Sequence, residues 1–70
     1  MGEWEKVVAE NVRRIRRERG LTQEQLALEA EVALRYIGMI ERAETSATVG
    51  LLGKVAKVLG VPPSTLLARD

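Results

Sequence analysis

The segment spanning residues 21–42, LTQEQLALEAEVALRYIGMIER, constrains the fold more than any other part of this sequence. Thr22 is a favourable N-cap residue, and Gln25 three positions later completes a capping box. Leu21 before the cap and Leu26 at the fourth helical position form the matching hydrophobic staple. The segment is therefore predicted to contain two short helices joined by a tight turn. The positions expected to be buried are Leu26, Ala27, Ala30, Val32, Ile37 and Ile40.

Two helices joined by a turn cannot bury those side chains alone, so the flanking sequence is predicted to pack around them. Apolar periodicity places a first helix at residues 4–19, ahead of the central helices at 23–30 and 34–42. A fourth helix, capped by a threonine, is predicted at 48–59, and a fifth, with proline in its first turn, at 63–69. The chain is thus expected to be one all-α domain, a compact five-helix bundle. The predicted apolar stripes are Trp4, Val8, Val12 and Ile15 in the first helix and Leu52, Val55, Ala56 and Leu59 in the fourth.

The composition argues against several classes of function. The chain has 70 residues with no cysteine and no histidine, so thiolate chemistry, disulfides and the commonest general base and metal ligand are absent. An enzyme is not expected, and no metal, cofactor or small-molecule effector is predicted. No apolar run approaches the roughly 20 residues of a membrane helix, so the expected location is the cytoplasm. A domain of this size buries only about 60% of its unfolded surface and often gains stability by pairing with a second copy.

Positive charge is concentrated in one place although the net charge is only +1. Five of the 11 basic residues fall within positions 13–19, at the end of the predicted first helix. Such a run has two interpretations. It is either a solvated face balanced by nearby glutamates, or a basic surface that faces phosphate groups.

Four short motifs together indicate a family. Gly20-Leu21-Thr22-Gln23 is followed at characteristic distances by Tyr36-Ile37, Ile40-Glu41-Arg42 and Leu59-Gly60-Val61. With these motifs in this order, residues 9–67 resemble the lambda-repressor/Cro-type helix-turn-helix family, also called XRE-like transcription regulators. The resemblance implies a five-helix DNA-binding domain whose third helix enters the major groove. It also implies a homodimer that regulates transcription by binding a short palindrome in double-stranded DNA, with half-sites about 34 Å apart.

The resemblance implies roles for individual residues. Gln23 matches a glutamine that contacts the DNA backbone, and its place beside unpaired N–H groups at a helix start suits a phosphate. Arg35 is the only strong base reader among the matched positions, because its guanidinium can pair with guanine O6 and N7. Arg13 and Arg17, four residues apart, are predicted as outer phosphate contacts. The base-facing positions are Leu34, Arg35, Gly38 and Met39, and the positions matched to phosphate contacts are Arg42, Thr45 and Ser46.

Two structural roles complete the expectation. Arg16 and Glu41 match a family ion pair that links the first and third helices. Leu51 and Val58 lie seven residues apart and form a second apolar strip that one small core does not require. Dimer contacts are therefore predicted in the C-terminal part of the chain, at Leu51, Val58, Leu66 and Leu67.

Four residues depart from the family pattern. Glu31 occupies the turn position where glycine is usual, and Ala43 replaces the glycine that usually follows the third helix. A non-glycine residue held in a left-handed conformation costs on the order of 1 kcal/mol. Ala33 replaces the usual Ser or Thr cap, at a cost of about 0.5–2 kcal/mol, and Glu44 stands where a basic or polar residue is commoner.

A second hypothesis assigns the same fold to protein contact. The predicted recognition helix is unusually apolar, with Leu34, Gly38 and Met39 all expected to be exposed. Leu34, Tyr36 and Met39 form an apolar patch, and the net charge is close to neutral. Exposed apolar patches often mark interaction sites. The alternative function is therefore that of a protein-binding partner, similar to an antitoxin or an antirepressor.

Overall fold

The computed structural model describes residues 2–69 of the chain, and their regular structure is entirely helical. Four α-helices are followed by a 3-10 helix, in the order α1 Glu3–Glu18, α2 Gln23–Ala30, α3 Leu34–Glu41, α4 Val49–Leu59 and the 3-10 helix Pro63–Leu67. The α-helices begin and end within one residue of their predicted positions. No helix in the described range is both long enough and apolar enough to span a membrane.

The expected five-helix bundle is wrong, because the last element is not an α-helix. The Thr65 N–H donates to the Pro62 carbonyl at 2.9 Å and the Ala68 N–H to the Thr65 carbonyl at 3.2 Å, so these bonds span three residues. The Asn11 side-chain amide donates hydrogen bonds from Nδ2 to the carbonyl oxygens of Leu66 and Ala68, each at 2.9 Å. The carbonyls of Leu66 inside the element and of Ala68 just after it are thus bonded to α1, and the element ends after five residues.

The helix ends follow the sequence closely. The Thr22 hydroxyl accepts the Gln25 N–H at 3.0 Å while the Gln25 side chain accepts the Thr22 N–H at 2.8 Å, which is the predicted capping box. Glu31 has φ 58° and Ala43 has φ 59°, so both non-glycine residues adopt the left-handed conformation, as expected. Ala33 precedes α3 without a side-chain cap.

The core is aliphatic, and two members of the predicted stripes, Trp4 and Leu52, are not fully buried in it. Trp4 is 52% exposed, because it lies at the outer end of the α1 stripe. On α4, Leu51 is buried and Leu52 is only partly buried, the reverse of the prediction, since Leu51 shares one helix face with Val55 and Leu59. Leu66 is fully buried. Leu51 and Leu66 therefore belong to the core of this chain and cannot form an exposed dimer surface.

Candidate nucleic-acid interface

The carboxylate of Glu41, at the end of α3, joins three helices. The Arg16 guanidinium of α1 donates to it twice, from Nε to Oε2 at 2.7 Å and from Nη2 to Oε1 at 3.0 Å. Gln23, the first residue of α2, donates from Nε2 to the same Oε1 at 3.0 Å. Only 2% of Glu41 is exposed, so this bidentate pair is desolvated and directional. The ion pair implied by the resemblance is therefore present, together with a third partner.

Two further hydrogen bonds lie at this meeting point of α1, α2 and α3, which we call the Glu41 junction. The Arg13 guanidinium donates to the backbone carbonyl of Glu41, which satisfies an acceptor at the C-terminal end of α3. Arg16 also donates from Nη1 to the Leu21 carbonyl at 2.8 Å, just before α2 begins. Contacts to the side chain and the carbonyl of Glu41 therefore link α3 to both α1 and α2.

The outward face of α3 carries one basic side chain among apolar ones. Leu34 is 44% exposed, Arg35 is exposed, and Tyr36 and Met39 are partly buried. An open groove of about 290 Å³ lies between Ala33, Arg35, Tyr36 and Met39. Within residues 2–69, Arg35 forms no ion pair, so its planar group of N–H donors is available to an external acceptor.

Gly38 does not face outward as an exposed residue, and that prediction is wrong. Gly38 is buried, and a Cβ built on it would lie 2.9 Å from Arg42 Nη1. The sequence pattern placed Gly38 on the correct side of α3. It gave no indication that the Arg42 side chain returns along the helix and covers that position.

Arg42 and Glu44 form an exposed ion pair at the end of α3. Arg42 Nη2 lies 3.0 Å from Glu44 Oε1. The hydrogen bond from Arg42, together with its positive charge, lowers the pKa of Glu44 below the usual value. The same hydrogen bond and the glutamate's charge raise the pKa of Arg42. Glu44, a departure from the family pattern, thus has a partner among the residues matched to phosphate contacts.

The loop after α3 is tied to the start of α1. The Ser46 hydroxyl donates to the Glu5 carboxylate, and this hydrogen bond is the main reason why the pKa of Glu5 is lowered. Thr45 beside it is partly buried. Two of the three residues matched to phosphate contacts, Arg42 and Ser46, are therefore held by carboxylates in this structure.

A basic row on α1 runs toward the same edge of the molecule. Lys6, Arg13 and Arg17 share one side of the helix, and Lys6 and Arg13 line an open groove together with Arg42. Sequence reasoning missed Lys6. The available signal was its seven-residue distance from Arg13, which places the two side chains two helical turns apart on one face.

A short α2, a left-handed turn at Glu31 and an α3 with an outward guanidinium together define a helix-turn-helix domain of the DNA-binding type. Comparison with known proteins gives the family. Residues 12–66 match the helix-turn-helix family HTH_3, and the chain belongs to it. Proteins of this family are DNA-binding transcription regulators rather than enzymes.

Three relatives illustrate the similarity. The control protein C.SmaI of Serratia marcescens is 41% identical over 64 residues, which cover 91% of this chain and 76% of that protein. The hypothetical transcription factor NHTF from Neisseria superposes with a TM-score of 0.94 at 29% identity, over 97% of this chain and 78% of that one. The restriction-modification controller protein C.AhdI from Aeromonas hydrophila gives a TM-score of 0.86 at 27% identity, over 89% of this chain and 94% of that one.

Proposed function

We propose that this protein regulates transcription as a homodimer that binds a short palindrome, with α3 of each copy in the major groove. The observation that carries the proposal is the Arg35 guanidinium, which is exposed and without an ion pair among residues 2–69, on a helix held by the Glu41 junction. Because α3 is already held in place, a base-contacting side chain on it binds without the entropic cost of ordering the helix. Arg35 contacts guanine in this proposal, and Leu34 or Met39 packs on a thymine methyl group.

Backbone contacts position the domain in this proposal. Gln23 lies at the start of α2, where backbone N–H groups of the first turn have no helical partner and favour an anion. Arg13 and Arg17 extend the contact along α1, and the newly recognised Lys6 belongs to the same row. These residues determine where the domain docks on the duplex, and α3 determines which bases it prefers.

The second copy is proposed to bind through an apolar surface made of Trp4, Val49, Leu52 and Leu67. Trp4, Leu52 and Leu67 line one open groove. Val49 precedes Leu52 by three residues on α4, so the two side chains are neighbours, and Val49 is 87% exposed. The predicted contact Leu67 belongs to this surface. Val58 lies elsewhere on α4, in a groove among Glu29, Glu31, Lys54 and Lys57.

The test is a selection of binding sites from random duplexes with the wild-type protein and two variants. Arg35→Ala should abolish the preference at one base position per half-site, a loss of about 1–3 kcal/mol in discrimination. Gln23→Ala should weaken binding to the selected and random duplexes alike. An equal loss on both kinds of duplex for Arg35→Ala would remove Arg35 as a base reader.

The alternative function is binding to a protein partner, and duplex-binding measurements also test it. The groove beside Tyr36 and Met39 is largely apolar, which also suits a protein partner. DNA contact and protein contact are separated by salt dependence. A DNA-binding protein holds random duplexes at low salt and releases them as salt rises. Absence of any binding at low salt would favour the protein-binding alternative.

A further inference from the structure

A glycine one turn earlier in the sequence allows the Arg42 side chain to lie along α3. Helical side chains lean toward the N-terminus of the helix, so Arg42 extends back over Gly38. From the position of a Cβ on Gly38, Arg42 Nη1 would be 2.9 Å away, Cζ 3.7 Å and Nη2 3.8 Å. Any side chain at position 38 would therefore compete with the guanidinium for the same space.

Glu44 holds the guanidinium from the other side. Its Oε1 accepts from Arg42 Nη2 at 3.0 Å, and this ion pair leaves more than half of each side chain exposed. A guanidinium carries five N–H donors. The remaining donors of Arg42 are thus presented to solvent in an orientation set by the Gly38 backbone and the Glu44 carboxylate.

The Arg42 guanidinium is exposed and covers the buried Gly38 near the C-terminal end of α3. Leu34, Gly38 and Arg42 follow one another at intervals of four, and Arg35 occupies the adjacent row one turn before Met39. The two outward guanidinium groups of α3 are consequently displaced from each other along the helix. Side chains so displaced reach different base pairs when the helix lies in the major groove.

We propose that Arg42 is a second base-reading residue, which contacts a guanine edge at a base pair other than the one read by Arg35. This inference rests on the proposed DNA-binding function. Because it turns back over Gly38, the guanidinium lies closer to the N-terminal part of α3, and that part of a recognition helix contacts base edges. The planar donor pair of arginine matches guanine O6 and N7 in the major groove.

The experiment displaces the guanidinium without removing its charge. Gly38→Ala places a methyl group where Arg42 Nη1 now lies, and the flexible end of the arginine side chain must move. Gly53→Ala is the matched control, because a Cβ at this position within α4 meets nothing within 4 Å. Arg42→Ala removes the group altogether. Each protein is used to select sites from random duplexes, and its affinities for selected and random duplexes are measured over a range of salt.

The expected result is a loss of preference at one base position in Gly38→Ala and Arg42→Ala, distinct from the position lost in Arg35→Ala. Affinity for the selected duplex should fall about 5- to 150-fold for Arg42→Ala, the range of one good bidentate contact. Affinity for random duplexes and its salt dependence should stay as in the wild type for Gly38→Ala. Replacing the assigned guanine by 7-deazaguanine, which lacks N7, should weaken the wild type but not Arg42→Ala.

Two other outcomes are distinguishable. If Arg42→Ala weakens selected and random duplexes equally and reduces the salt slope by about 0.9, while Gly38→Ala behaves like Gly53→Ala, Arg42 contacts a phosphate and the inference is overturned. In that case the proposed function stands. If the wild type shows no sequence preference at all, the proposed function fails and Arg42 is not a base reader.

Discussion

Arg16 and Glu41 form a bidentate ion pair between α1 and α3, with N–O distances of 2.7 and 3.0 Å. The pair is nearly inaccessible to water, and Gln23 of α2 donates to the same carboxylate at 3.0 Å. A buried pair of this kind contributes more to orientation than to net stability, because desolvation offsets most of the attraction. Through these contacts the proposed recognition helix α3 is bonded to α1 and α2 by side chains, in addition to the short turn that connects it to α2.

Removal of one partner should be costly. Glu41→Gln leaves the Arg16 guanidinium buried without its counter-charge, and we expect the free energy of unfolding to fall by about 3–5 kcal/mol in urea denaturation. The matched control is Glu18→Gln, which breaks the exposed pair with Arg14 at 3.6 Å and should cost less than about 1 kcal/mol. Similar losses for the two variants would contradict the structural role of the Glu41 junction.

Glu31 stores backbone strain in the turn before α3. Its φ of 58° and ψ of 43° are left-handed, and glycine adopts this conformation without steric penalty. Glu31→Gly should therefore raise the free energy of unfolding by up to about 1 kcal/mol. Glu29→Gly, two residues earlier inside α2, should instead lower it by about 1 kcal/mol. A destabilised Glu31→Gly would show that its side chain makes a contribution larger than the strain.

Local signals in the sequence predicted most of the fold. The cap at Thr22, the stops at Gly20 and Gly60 and the apolar spacing on α1 involve residues close in sequence, and their physics is local. Glu31 and Ala43 were identified by comparison with the family that the sequence resembles, which usually has glycine at both positions. The 3-10 helix was not predicted, because its form depends on Asn11, which is 55 residues away from Leu66.

The candidate site was less predictable for a physical reason. Which side of α3 faces outward follows from helical periodicity, so Leu34 and Arg35 were identified correctly as exposed. Where a long flexible side chain lies depends on space and on partners. The four-residue spacing allows Arg42 to lie over Gly38. The ion pair of Arg42 with Glu44 and the hydrogen bond from Gln23 to Glu41 do not follow from helical spacing.

Arg42 should control the ionisation of Glu44. The hydrogen bond and charge of Arg42 lower the pKa of this carboxyl from its usual 4.5, so Arg42→Gln should raise it back toward that value. A lowered folded-state pKa gives a stabilising contribution above the unfolded-state value that is lost as pH falls through the folded-state pKa. Carboxyl carbon chemical shifts followed by NMR between pH 2 and 7 measure the change. Arg35→Gln is the control and should leave the pKa of Glu44 unchanged. If the pKa of Glu44 were also unchanged in Arg42→Gln, the ion pair would not be populated in solution.

The apolar surface of Trp4, Val49, Leu52 and Leu67 should govern the oligomeric state. Val49→Glu introduces a charge at a side chain that is 87% exposed in one copy but desolvated in the proposed dimer. Burial of an unpaired carboxylate is strongly unfavourable, so the variant should sediment as a monomer at micromolar concentrations where the wild type is a dimer. Leu67→Glu should act in the same direction.

Leu28→Glu is the control for this comparison, because Leu28 is also highly exposed, at 80%, but lies on α2. The Leu28→Glu variant should sediment as a dimer, like the wild type. Loss of the dimer should also weaken binding to a palindrome much more than binding to a single half-site, since the two domains then bind independently. A wild-type protein that remains monomeric while binding one palindrome tightly would contradict the proposed dimer. The proposed contacts of α3 with a half-site do not depend on the dimer, and the site selection with Arg35→Ala tests them separately.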